Sequence, residues 1–307
     1  MQPMSKIVQY QIRDSAVVDY QLFELPEIEY TLRGPLPADL GERQYAAVLG
    51  AGQSFGVLVR DPYVHLLQRA IGFPFLNLSV GGAAPGLYLR NPAYLDYANR
   101  ARFCIIQAMS ARGSHNSYFE ARHGKNMLRP RGSSLPYLPG DTAFQKMIEH
   151  EPPALVRAVV GELRANWVRE TIQLLARIKV PKVLLWFSKR TPDYREGADS
   201  YKALSGVFPQ FVNRAMVDEV ADFADHYVEV VSSRGMPHVL TDRITEAPIE
   251  VYLGDAKVAN SVNTYYPSPQ MHEDAFALLL PALRNVLAET APKRRKPAGR
   301  ELAGAGA

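Results

Sequence analysis

The stretch Tyr45-Ala46-Ala47-Val48-Leu49-Gly50-Ala51-Gly52-Gln53-Ser54-Phe55-Gly56 decides how the chain is read. An apolar run breaks into Gly50, Gly52 and Gly56, with an amide and a hydroxyl between them. A buried strand that ends this way leaves a tight loop whose backbone can approach a ligand closely. A helical pattern follows at Pro62–Ile71. Strand, glycine loop and helix together form the unit that opens the ligand crevice of many α/β folds.

Outward from this unit, further apolar runs predict strands at Phe75–Leu78, Phe103–Met109, Val183–Phe187 and Tyr227–Val231. Helical patterns separate them, at Pro92–Arg100, Pro153–Ile178, Arg214–His226 and, last, Met271–Glu289. Continuous apolar strands alternating with helices imply a parallel sheet covered on both faces. The expected fold class is therefore α/β, a flavodoxin-like three-layer sandwich with a five-stranded parallel sheet in the order 2-1-3-4-5. That order opens a crevice beyond the ends of strands one and three. The Gly50–Gly56 loop and the polar segment from Ser110 to about Asp141 then share one mouth.

The chain has 307 residues, 47% of them hydrophobic, enough for one large domain. Residues 43–290 form that α/β domain. Residues 1–42, rich in Tyr, Gln and Pro, read as an N-terminal extension with short strands around Ile7–Ile12 and Glu27–Leu32, packed on the main body. Residues 291–307 read as a disordered basic tail. The tail carries part of the net charge of +4 and reads as solvated rather than nucleic-acid binding. Cys104 is the single cysteine, inside an apolar run, so it is expected to be buried and inert. No intrachain disulfide, no long apolar stretch and no signal-peptide pattern point to the cytoplasm, without membrane contact.

Four blocks resemble the SGNH-hydrolase superfamily of esterases and acetyl-transferring enzymes. Gly50–Gly56 has the outline of its first block, Gly-Asp-Ser-x-Thr-x-Gly, and Asn77-Leu78-Ser79-Val80-Gly81-Gly82 is similar to the second. Ser110-Ala111-Arg112-Gly113 falls where the third block, Gly-x-Asn-Asp, stands. Asn263-Thr264-Tyr265-Tyr266-Pro267-Ser268 is similar to the Asp-x-x-His-Pro-Ser stretch before the last helix. The resemblance implies an SGNH-like sandwich, but the catalytic positions depart from it. The nucleophile serine falls on Gly52, the Asp on Asn263, the His on Tyr266 and the third-block Asn on Arg112. A glycine has no nucleophile, and a phenol with a pKa around 10 is a poor general base at neutral pH. The chain also resembles an uncharacterised, mostly alphaproteobacterial family with a Glu/Gln-Thr/Ser-x-Gly loop and an Arg/Trp-bearing helix like Glu162–Trp167.

Two readings of function follow. In the first, an esterase or acyl-transfer enzyme acts on a carbohydrate-type substrate, with Ser54 as displaced nucleophile, His115 or His272 as base, and the Gly81 and Gly82 amides as oxyanion site. Ser54 reads equally as a turn or cap residue. In the second, the same crevice binds an anionic or sugar-like ligand without catalysis. Gln53, Gly81, Gly82, Arg112, Asn116 and Tyr266 are the candidate ligand-binding residues in either case. Arg112, Arg122, Arg129 and Arg131, interleaved with His and Asn, suit an anionic group, since guanidinium pairs with it bidentately. His115 and His123 lack the spacing of zinc ligands, so neither a metal nor a cofactor is expected.

Overall fold

Five apolar runs pair as parallel strands: β1 (Ala46–Leu49), β2 (Phe75–Asn77), β3 (Cys104–Gln107), and two more after an insert. The insert supplies β4 (Phe119–Ala121), β5 (Met127–Pro130) and β6 (Leu138–Pro139), and the sheet resumes with β7 (Lys182–Ser188) and β8 (His226–Val231). The computed structural model describes residues 14–194, 196–197, 200–251 and 259–290. The expected strand at Ile7–Ile12 and the basic tail at 291–307 lie outside the described residues.

The sheet order is β2-β1-β3-β7-β8, and every pairing in it is parallel. This is the flavodoxin-like three-layer sandwich. Val48 sits opposite Asn77 on one side and Ile105 on the other, so β1 is central to the register. Side chains alternate between two cores, as a strand period of two requires. Ala47, Leu49, Cys104, Ile106, Leu184 and Trp186 face the helices Pro92–Arg100, Pro153–Arg177 and Arg214–Ala221. Val48, Ile105, Val183, Leu185 and Phe187 face the helices Tyr63–Ile71 and Pro269–Glu289. Cys104 is fully buried, and burial pushes its thiol pKa up, which keeps it unreactive.

Three local structures differ from the expectations. The segment after β3 is not an open polar loop: β4, β5 and β6 form a small antiparallel sheet, followed by a helix at Gly140–His150. The glycine-rich turn after β2 leads directly into a short helix, Pro85–Arg90. The first glycine loop itself coils into a four-residue helix, Gly52–Phe55, that places Ser54 inside the protein. Between β8 and the last helix the described residues include the antiparallel pair β9 (His238–Val239) and β10 (Val262–Asn263).

The arm that precedes β1 is anchored by one side chain. Arg33 is fully buried, and its guanidinium donates to the carbonyls of Phe55, Gly56, Val59 and Arg60. It also lies over the ring of Tyr20, 5.0 Å from the centroid. Val17, Val18 and Tyr20 join Phe55, Val57, Leu58 and Leu240 in a third small core beside the glycine loop. The arm thus holds the first turn after β1 in place.

Candidate functional site

The glycine loop and the segment after β3 meet beyond the ends of β1 and β3, a place termed the mouth. Gln107, the last residue of β3, is fully buried, and its Oε1 accepts from the amides of Ala51 (2.9 Å) and Ser54 (3.3 Å). That bridge ties the glycine loop to the neighbouring strand. It requires Gly50: a Cβ there would lie 2.6 Å from Gln107 Oε1. From the other side, Tyr88 accepts from Gly50 N–H (3.0 Å) and lies 2.7 Å from Gly50 O. Asn77 Nδ2, at the end of β2, donates to Ser54 O (3.0 Å), and its Oδ1 accepts from Ser79 N–H (3.1 Å).

The last block closes the mouth. Asn263 is fully buried; its Oδ1 accepts from the amides of Tyr265 (3.0 Å) and Tyr266 (2.9 Å), and its Nδ2 donates to Tyr266 O (2.9 Å). This turn delivers the Tyr266 ring onto Gly52, where a Cβ would meet Cε1 at 2.8 Å. Tyr265 packs edge-on against Tyr266, ring centroids 4.9 Å apart. Its hydroxyl accepts from Arg112 (3.2 Å) and Gln210 (3.4 Å). The glycine loop, the segment after β3 and the stretch before the last helix therefore meet at one place.

The candidate residues fall into three groups. Arg112 and Tyr266 are linked through Tyr265, and Gln53 follows Gly52, against which the Tyr266 ring lies. Arg112 is buried; it forms an ion pair with Asp141 and donates from Nε to Ser110 Oγ (3.1 Å), so its charge is met within the protein. Ser54 and His272 form a second, fully buried group behind the mouth. Ser54 Oγ accepts from Tyr63 O–H (2.8 Å), and the main-chain N–H of Tyr63 donates to His272 Nδ1 (3.2 Å). No hydrogen bond joins Ser54 to a histidine among the described residues. Burial lowers the His272 pKa to about 3, with Arg33 adding to the effect, so its ring is neutral. Burial raises the Tyr63 phenol for the same reason.

The third group lies away from both. His115 is exposed, and its carbonyl accepts from Asn166 Nδ2 on the long helix (2.6 Å). Burial and the nearby Arg131, Arg90 and Arg169 lower its pKa. Asn116 uses its polar atoms inside its own loop: Oδ1 accepts from Tyr118 and Phe119 amides (3.1 and 2.6 Å), and Nδ2 donates to Ser114 O (3.2 Å). Gly82 packs against Asn126, whose amide donates to Gly82 O (2.9 Å), and half-buried Gly81 shares that turn. Two cations of the insert are also engaged, Arg129 by Glu120 and Arg131 by Asn116 O. Thus Ser54 is enclosed by the fold, His115 stands apart from it, and Arg112, Arg129 and Arg131 of the expected anion-binding segment are engaged within the protein.

Of the residues with unpaired polar atoms in this region, the sequence singles out Gln53 but not Ser79, Gln107 or Gln210. Gln53 Oε1, Ser79 Oγ, Gln107 Nε2 and Gln210 Oε1 are all buried without a hydrogen-bond partner among the described residues. Buried polar atoms are ordinarily paired, so four such atoms on and beside the Gly50 loop leave hydrogen-bonding capacity unmet there. The signal was present in β3, where a glutamine closes the otherwise apolar run Cys104-Ile105-Ile106-Gln107. Among the described residues, no group of three His, Cys, Asp or Glu is placed to hold a metal ion, and no helix is long and apolar enough to cross a membrane.

Among solved structures the chain is similar to a Corynascus thermopiles (Myceliophthora fergusii) carbohydrate esterase family 2 enzyme with its carbohydrate binding domain. The identity is 12% and the TM-score 0.40, over 84% of this chain and 71% of that one. It is similar to phospholipase A1 from Streptomyces albidoflavus NA297 at 11% identity and a TM-score of 0.44, over 79% of this chain and 99% of that one. For a family two carbohydrate esterase from Clostridium thermocellum, in complex with cellohexaose, the values are 10% and 0.40, over 84% and 68%. No curated protein matches the chain. One family model does, over residues 8–128 and 144–287, and the chain belongs to that family, described as a domain of unknown function (DUF6473).

Proposed function

We propose that this SGNH-like fold uses its mouth to bind a carbohydrate-type ligand, and that it holds this ligand rather than cleaving it. The observation that carries the reading is the contact of Gly52 with the Tyr266 ring. The two positions that resemble a nucleophile and its base do face each other, but one has no side chain and the other is a phenol. The unpartnered amide and hydroxyl atoms of Gln53, Ser79, Gln107 and Gln210 favour a ligand rich in hydroxyls, which must shift the first turn to reach them because they are buried. Tyr265, 40% exposed, offers a ring at the rim on which a sugar face can lie. Because Asp141 neutralises Arg112, a neutral sugar fits this lining better than an anion. The test is calorimetric titration with cellohexaose and xylohexaose. Binding that Tyr265→Ala weakens about tenfold, without turnover of aryl acetates, is the expected result. Absence of binding to any sugar would sink the reading.

A second reading, ester hydrolysis or acyl transfer, is favoured by one observation: Ser54 and His272 both bond to Tyr63. It requires the first turn to open, since both residues are fully buried. Labelling of Ser54 by a fluorophosphonate, with aryl acetate turnover lost in Ser54→Ala, would establish it over the binding role.

A further inference from the structure

A second cleft, of about 260 Å³, lies away from the mouth. The arm contributes Glu29 and Tyr30, the helices Pro85–Arg90 and Pro92–Arg100 contribute Leu87, Arg90 and Tyr94, and the insert contributes His123. Three observations characterise it. Tyr94 is fully buried in its wall, and its hydroxyl has no hydrogen-bond partner among the described residues. A buried phenol ordinarily finds one. Secondly, the lining carries one full cation, Arg90, and one acid, Glu29, with two further cations standing behind it. Arg90 makes no ion pair or hydrogen bond among the described residues, while Arg122 and Lys125 stand close to Tyr30. Lys125 carries its ammonium over the Tyr30 ring, 4.6 Å from the centroid, rather than against a carboxylate. The opposing acids are Glu29, 3.8 Å from His123 Nδ1, and Glu170 on the long helix, whose carboxylate feels the Arg90 charge without forming an ion pair with it. Thirdly, Tyr30, Leu87 and Pro92 form an apolar side to the same cleft.

We propose that this cleft binds a small organic oxyanion, a phosphate or carboxylate on an apolar body. Arg90 pairs with the anionic head and Tyr94 O–H donates to it; the body lies against Tyr30, Leu87 and Pro92. The volume is that of about eight or nine liquid water molecules, which suits a single substituted ring. None of the residues proposed for the sugar at the mouth lines this cleft, so the two sites are independent.

The experiment is calorimetric titration of the full chain with phenyl phosphate and with inorganic phosphate. Phenyl phosphate should saturate the protein and bind more tightly than inorganic phosphate. Arg90→Gln should weaken it about tenfold and Tyr94→Phe severalfold, with unchanged circular dichroism, while Tyr265→Ala at the mouth leaves it alone. Arg90 is exposed and Tyr94→Phe removes only the hydroxyl, so both variants should fold. No saturation at roughly 10 mM phenyl phosphate, or an affinity that Arg90→Gln leaves unchanged, overturns the proposal.

Discussion

A Cβ on Gly52 would stand 2.8 Å from Cε1 of Tyr266, so the two residues exclude any larger pair between them. Real Cβ atoms do not approach a ring carbon that closely, and a side chain added to a packed site displaces its neighbours. Gly52→Ser should therefore cost about 1–3 kcal/mol of stability and yield no esterase. Tyr266→Ala in the same chain should recover part of that loss, because it removes the ring the serine meets. Urea unfolding of the two single variants and the double variant measures the coupling. Additive losses would mean that the contact does not hold the site closed.

The buried serine separates a structural role from a catalytic one. Tyr63 O–H donates to Ser54 Oγ inside the core, 2.8 Å away. Ser54→Ala strands that hydroxyl and should cost about 1–3 kcal/mol. Tyr63→Phe in the Ser54→Ala background removes the stranded donor and should restore most of the loss. Chemical denaturation of the three variants decides it; a double variant no more stable than Ser54→Ala would contradict the structural role.

How the fold was legible, and the site less so, follows from the same residues. Ala46–Leu49, Phe75–Asn77, Cys104–Gln107 and Lys182–Ser188 are short apolar runs, and burial on both faces of a parallel sheet leaves that pattern in a sequence. Their ends fix where the mouth lies. The strands of the insert, Phe119–Ala121 and Met127–Pro130, hold one fully apolar face between them and read as polar loop. The exposure of Ser54 is a tertiary matter: the four-residue helix Gly52–Phe55 is too short to leave a periodic pattern, and Arg33, far upstream, closes the turn over it. Likewise Arg112 reads as a free cation until the fold brings Asp141 to it.

Acid should unfold the protein earlier than its carboxylates alone require. Burial lowers His272 to about 3 and His65 to about 4, from an ordinary value of 6.5. Both rings are thus neutral when folded and take up a proton when unfolded below about pH 6.5. Their contribution is fully present above that pH and is lost as the pH falls towards 3–4, by up to about 1.4 kcal/mol per pH unit for each histidine. His272→Gln should flatten the dependence of the urea midpoint between pH 6 and pH 4. An unchanged slope would mean that the ring is protonated, or reachable by water, in the folded state.

The arm's grip on the mouth rests on Arg33, whose NH1 donates to Phe55 O (3.2 Å) and Gly56 O and whose NH2 donates to Val59 O (2.8 Å) and Arg60 O (2.9 Å). Burial lowers its pKa to about 10, yet it is charged at any physiological pH. Arg33→Met removes the charge but strands four buried or half-buried carbonyls, and should cost about 3–5 kcal/mol. Arg33→Lys should not rescue it, because one ammonium cannot span the four carbonyls that a planar fork reaches. Hydrogen exchange at residues 52–60 is the sharper readout. If Arg33 only adds global stability, protection there falls in step with the rest of the chain. If it holds the first turn after β1, those amides exchange first in Arg33→Lys, and sugar affinity at the mouth drops with them while β7 stays protected.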